Sequence, residues 1–131
     1  MAILERVWVI HTTSRQAEAG TDARFSLEIQ TRSQRFAPNF PRLPHDERNR
    51  GRTDQYEFDL RDVEIDHEDV EPGNIRITIL GRDRWLPESI WIVGRDRNGG
   101  FHLLVARPAW PSNAWFSTRP GDMATRPLDQ R

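Results

Sequence analysis

The side chains able to hold a ligand fall into four short stretches. Glu18 and Asp22 bracket the turn "EAGTD", and Asp83 stands in "GRDRW" with an arginine on each side. "HDE" at residues 45–47 sets an imidazole beside Asp46 and Glu47, which suits a metal, but no second histidine stands at zinc-ligand spacing. Residues 31–52 hold six arginines with Phe36 and Phe40. Cations beside aromatic rings can meet phosphates, stack bases or sit at a lipid interface.

Other chemistries are closed. The chain has no cysteine, which excludes disulfides, thiolate nucleophiles and cysteine-bound zinc. All 19 basic residues are arginine, so neither a P-loop lysine nor a Schiff-base amine exists. There is no Gly-x-Ser-x-Gly elbow. His11 and His102 fall within apolar alternating stretches and read as structural, while His67 sits in an acidic run that reads as a solvated face. Residues 54–71 hold nine acids against Arg61 alone, and no pair among them stands out for acid–base work. The expectation is a protein that binds and is not an enzyme.

The elements that must position these groups are strands. Phe25, Leu27 and Ile29 alternate with polar residues, as do Tyr56, Phe58 and Leu60, and Ile75, Ile77 and Ile79. Residues 6–12 and 89–94 are apolar on both faces, as in central strands. Residues 101–107 follow "RNGG", whose Asn-Gly pair predicts a primed hairpin turn, and residues 113–118 make a plausible last strand. No stretch has helical periodicity. Seven or more short strands between frequent turns predict an all-β antiparallel sandwich or barrel. The 131 residues suit one domain. Residues 1–119 are expected to form it, with 31–52 as a long loop and 120–131 as a flexible C-terminal tail.

Net charge is −1, so no global field favours nucleic acid or an anionic membrane, and the acidic run would repel a phosphate backbone. The near-neutral sum hides a basic loop next to an acidic stretch. These either face each other, are merely solvated, or form a bipolar surface that orients a partner. No run is long enough to span a bilayer, and a cytoplasmic location is the default expectation.

In order along the chain, "VWVIHTTSRQAEAGTDARFSLEI", "GRTDQYEF", "ITILGRDRWLPESIWIV" and "FHLLVARPAWPSNAW" resemble the landmarks of a PLAT, or lipoxygenase-homology, domain. Gly20, Thr21, Asp22 and Ala23 match the opening turn; Gly51, Asp54, Tyr56 and Phe58 the next landmark; Asp83, Trp85, Ile90 and Ile92 the third. The resemblance implies an antiparallel β-sandwich of two four-stranded sheets without catalytic activity. It also implies a role in binding membranes or proteins, in some members with calcium at one edge. Carried onto this chain, the calcium ligands would be Glu18, the Gly20 carbonyl and Asp83, with Asp46 and Glu47 as a second group. The same residues have a structural reading: Asp22 capping its turn, Glu18 solvated, Asp83 paired with Arg82 or Arg84.

Two functions follow as expectations. One is recognition of a lipid or membrane surface, assisted by calcium, through Phe36, Phe40 and Trp110 with Arg42, Arg48 and Arg50, which would make it a peripheral membrane protein. The other is a protein-interaction module acting with a partner or as a homo-oligomer. Phe36 and Phe40 have a structural alternative, a satellite cluster under the proline-braced loop. Trp85, Trp91 and Trp115 read as core.

Overall fold

The computed structural model describes residues 2–43, 47–71 and 73–128. Its strands are β1 (Leu4–Thr13), β2 (Arg24–Gln30), β3 (Arg35–Phe36), β4 (Thr53–Asp59), β5 (Ile75–Leu80), β6 (Pro87–Asp96), β7 (Phe101–Arg107) and β8 (Thr125–Pro127). They form two antiparallel four-stranded sheets, ordered β4-β1-β6-β7 and β3-β2-β5-β8. The single helical turn among the described residues is the 3-10 turn His67–Asp69. No helix among them is long and apolar enough to cross a membrane. The all-β sandwich expected from period-two alternation is therefore what forms.

The inner faces meet as the alternation requires. Val7, Val9, Tyr56, Phe58, Ile90 and Ile92 come from one sheet, and Phe25, Leu27, Ile29, Ile75, Ile77 and Ile79 from the other. Strand β1 is central, flanked by β4 and β6; its inward row is buried and its second face, with Trp8 and Ile10, is half-buried. His11 and Thr13 continue its inward row, and Thr13 accepts a hydrogen bond from the Trp85 indole at 2.9 Å. Trp85 and Trp115 are buried, as expected. Trp91 differs: it alternates with buried Ile90 and Ile92 and lies half-buried on the other face of β6.

The C-terminal expectations need correction. Residues 113–118 form no strand; Phe116 makes only isolated bridges to Trp85 and Met123. The expected tail instead supplies β8, which pairs with β5. Leu128 is fully buried and donates its backbone N–H to the Ile75 carbonyl at 2.9 Å. Burial of that leucine and completion of an open sheet edge outweigh the polar composition around it. The hairpin before β7 also departs from a primed turn, because only Gly99 has positive φ. The Asp96 carboxylate closes it instead, accepting the N–H groups of Asn98 at 2.8 Å and Gly100 at 3.0 Å.

Candidate functional site

The "EAGTD" turn is locked from three sides. Ala19 is buried and its carbonyl accepts the Leu86 N–H at 3.2 Å. Gly20 lies so close to the long loop that a Cβ there would sit 2.9 Å from the Arg48 carbonyl, which only glycine avoids. Thr21 donates its N–H to that carbonyl at 3.1 Å. Its hydroxyl accepts the Ala23 N–H at 3.0 Å and donates to Asp83. Thr21, rather than Asp22, is thus the turn-forming side chain, since its hydroxyl sits at the distance an ST-turn requires.

Asp83 does meet the turn, 62 residues away in sequence. Its carboxylate accepts from the Thr21 hydroxyl and from the backbone N–H groups of Arg84, at 2.8 Å, and Asp22. Burial opposes its charged form, but these donors outweigh burial and hold the carboxyl below the ordinary aspartate value. Its recorded partners therefore include the Arg84 backbone and not the Arg82 or Arg84 side chains. Glu18 is exposed, with φ of +65°. Among the described residues, one group of three acids or histidines has its ligand atoms within 4.8 Å of one another, and it includes none of Glu18, Asp83 and Glu47. Asp46 and His45 lie outside the described residues.

Behind this turn sits Arg48, only 4% exposed. Its backbone, at φ +53°, donates N–H to Asp54 at 2.8 Å. Its guanidinium lies 4.0 Å from the centre of the Phe25 ring, 4.9 Å from Tyr56, 5.3 Å from Phe40 and 5.9 Å from Trp85. Glu47 lies 3.7 Å from Nη1 and accepts the Tyr56 hydroxyl at 2.7 Å. Burial lowers the Arg48 pKa against the pull of these acids. His11 packs between Tyr56 and Trp85, with ring centres at 5.2 and 4.8 Å. Burial first, then the Arg48 charge, lowers its pKa to about 3. The Tyr56 phenol is pushed up, chiefly by burial.

The three expected membrane-facing rings pack against the core instead, Trp110 buried and Phe36 and Phe40 partly buried. Phe40 packs edge-on against Tyr56 at 4.9 Å and Phe58 at 5.1 Å; Phe36 packs on Phe58 at 6.4 Å. The cause is pairing of the loop with β2: Phe40 donates N–H to the Phe25 carbonyl, and Leu27 to that of Pro38. Trp110 is buried against Phe116, and its indole donates to the Ala114 carbonyl at 2.9 Å. Arg48 faces inward as described. Arg42 and Arg50 are exposed.

The turn and the loop enclose a cavity of about 170 Å³. Asp22, Arg24 and Phe25 line it from the turn and β2, and Phe40, Arg42 and Glu47 from the loop. Its lining mixes three cations, Arg24, Arg42 and Arg48, with two acids and two rings. Nothing in the spacing of Arg24 singled it out; it begins β2, and only folding brings it to the same cavity as Arg42.

Neither a protein-family model nor a curated protein matches the chain. Solved structures do. The alpha toxin from Clostridium absonum superposes with a TM-score of 0.76 at 18% identity, over 97% of this chain and 32% of the toxin chain. The alpha-toxin of an avian strain of Clostridium perfringens gives 0.75 at 21% identity, over 96% and 31%. The likeness is one of fold. This chain spans about a third of the length of those toxins. The shared sandwich fits the PLAT-like architecture that the sequence resembles.

Proposed function

We propose that this chain is a non-enzymatic module that docks on an anionic lipid surface with the edge formed by the Gly20 turn and the 38–52 loop. The observation that supports it is the cavity between these two segments, whose lining includes both Arg24 and Arg42. Arg15 and Arg50, both exposed, line a shallow depression on the same edge beside Gly51. A guanidinium pairs with phosphate oxygens through parallel N–H donors. A basic residue near an anionic membrane is worth about 1 kcal/mol. Four such arginines outnumber the exposed acids Glu18, Asp22 and Asp83, and the half-buried Glu47 has the Arg48 guanidinium beside it. The guanidinium groups meet phosphate directly, so this reading needs no calcium. It goes with peripheral association at the cytoplasmic face of a membrane.

Vesicle co-sedimentation tests it. The chain should pellet with vesicles of phosphatidylcholine and phosphatidylserine and stay in solution with phosphatidylcholine alone. Arg24→Gln with Arg42→Gln should lower the partition about 30-fold, the equivalent of two basic residues. Absence of pelleting by the unaltered chain, with or without calcium, would overturn the reading.

One observation favours a protein-binding alternative. On edge strand β7, Phe101 is 66% and Leu103 60% exposed, and Phe101 lies 6.2 Å from Trp8. Exposed apolar side chains grouped on one sheet face suit a protein partner or a second copy. Sedimentation equilibrium with Phe101→Ser and Leu103→Ser tests it: self-association that these changes abolish would support a homo-oligomer.

A further inference from the structure

At the other end of β1 from the Gly20 turn, the acidic run holds a second constellation. Asp66, His67 and Glu68 place one donor atom each within 4.8 Å of one another. The sequence reading left His67 on a solvated face, yet its Nδ1 is buried and has no hydrogen-bond partner. That nitrogen stands 3.6 Å from the Asp66 Oδ1, too far for a hydrogen bond. The gap has a natural occupant: two ligands of one tetrahedral zinc, each about 2.1 Å from the ion, lie about 3.4 Å apart.

The donors are also held in place. His67 stacks on His102, with ring centres 3.7 Å apart and planes 24° from parallel. His102 is fixed in turn by Nε2 to the Asp96 carboxylate at 2.7 Å. Asp66 accepts the Glu68 N–H at 3.0 Å, and His67 donates its backbone N–H to the Ala2 carbonyl at 3.2 Å. Partners of this sort orient ligands and raise metal affinity.

We propose that Asp66, His67 and Glu68 form a divalent transition-metal site, with zinc as its first candidate. One imidazole nitrogen with two carboxylates selects zinc and its first-row neighbours over calcium or magnesium, which take oxygen alone. Three protein ligands leave a fourth position for water or an external donor. Because His67 and Ala2 are hydrogen-bonded, the ion ties the acidic run to the start of β1.

Thermal unfolding of tag-free protein with zinc chloride or chelator tests this. At a hundredfold excess over Kd, zinc should raise Tm by about 5 °C or more. His67→Gln and Glu68→Gln should each remove most of that rise. Glu68 is exposed, so its variant decides the matter if His67→Gln does not fold. Cobalt should give a visible ligand-field band that His67→Gln abolishes. Arg24→Gln with Arg42→Gln, at the far edge, should leave the zinc response unchanged. No zinc response in the unaltered chain, or a response equal in Glu68→Gln, would overturn the site.

Discussion

The two ends of β1 both hold a carboxylate on backbone donors, but only one sets an open imidazole nitrogen beside it. They lie nine residues apart, about 30 Å in an extended strand. At the Thr13 end, Asp83 already accepts from Thr21, Arg84 and Asp22, and Glu47 accepts from Tyr56. Glu47 also has the chain's own Arg48 guanidinium 3.7 Å away. At the Leu4 end, the His67 Nδ1 has no partner and faces a carboxylate across 3.6 Å. Carboxylates alone therefore do not make an ion site. Asp66 too is held by the backbone N–H groups of Glu68 and Ala2, so what sets the Leu4 end apart is the open His67 nitrogen beside it.

The largest effect should come from emptying the box around Arg48. Arg48→Ala should cost about 3–5 kcal/mol in urea unfolding, because it removes packing against four rings and leaves Glu47 without its cation. Arg48→Met keeps most of the volume and no charge. It should recover all but about 1–2 kcal/mol, since apolar side chains often replace buried ions at little cost. Equal losses in both variants would break the comparison in one respect: the charge, rather than the packed stem and plane, would then be what holds this end.

A smaller effect should appear with pH. The His11 pKa is lowered to about 3 in the fold, from about 6.5 in the unfolded chain. Between those values the unfolded state binds a proton that the folded state does not. The stability linked to a neutral His11 is therefore complete above about pH 6.5 and is lost as pH falls toward 3. The slope is about 1.4 kcal/mol per pH unit, or about 2.5 kcal/mol by pH 4.5. Asp83 and Asp96, whose pKa values are lowered, act in a separate window below the ordinary aspartate value. Denaturant midpoints at pH 7, 5.5 and 4.5 measure the slope, and His11→Leu should flatten it. An unchanged slope in that variant would mean that the acid response arises elsewhere than this box.

These two predictions concern residues whose roles were illegible in the sequence. An arginine in a basic loop reads as solvated, and a histidine in a strand says nothing of its neighbours. The box needs Phe25, Phe40, Tyr56 and Trp85 from four separate segments. What alternation could show, it showed: Phe25, Leu27 and Ile29, Tyr56 and Phe58, and Ile75, Ile77 and Ile79 all face the core. Strands β3 and β8 have two and three residues, too few to carry a period. Phe36 and Phe40 followed their structural alternative, because the loop hydrogen-bonds to β2. The meeting of the Gly20–Asp22 turn with Asp83 was visible only through the PLAT resemblance. The stacking of His67 on His102, 35 residues away, had no local signal at all.

The smallest effect tests the closed edge directly. Thr21→Val keeps the side-chain shape and deletes the hydroxyl that joins Asp83 to the Ala23 N–H. Two part-buried hydrogen bonds are lost, one of them to a charged acceptor. A cost of about 1–2 kcal/mol follows, because each abandoned partner is partly re-solvated at this exposed edge. The backbone N–H groups of Asp22 and Arg84 still hold Asp83 in the variant. Millimolar calcium should therefore recover none of the lost stability. If calcium restored Thr21→Val to the unaltered chain's Tm while leaving that chain unmoved, one hydroxyl would be what separates the two ends. The Gly20 edge would then be a calcium site that Thr21 keeps shut, and the contrast with His67 would be one of occupancy rather than of ligand supply.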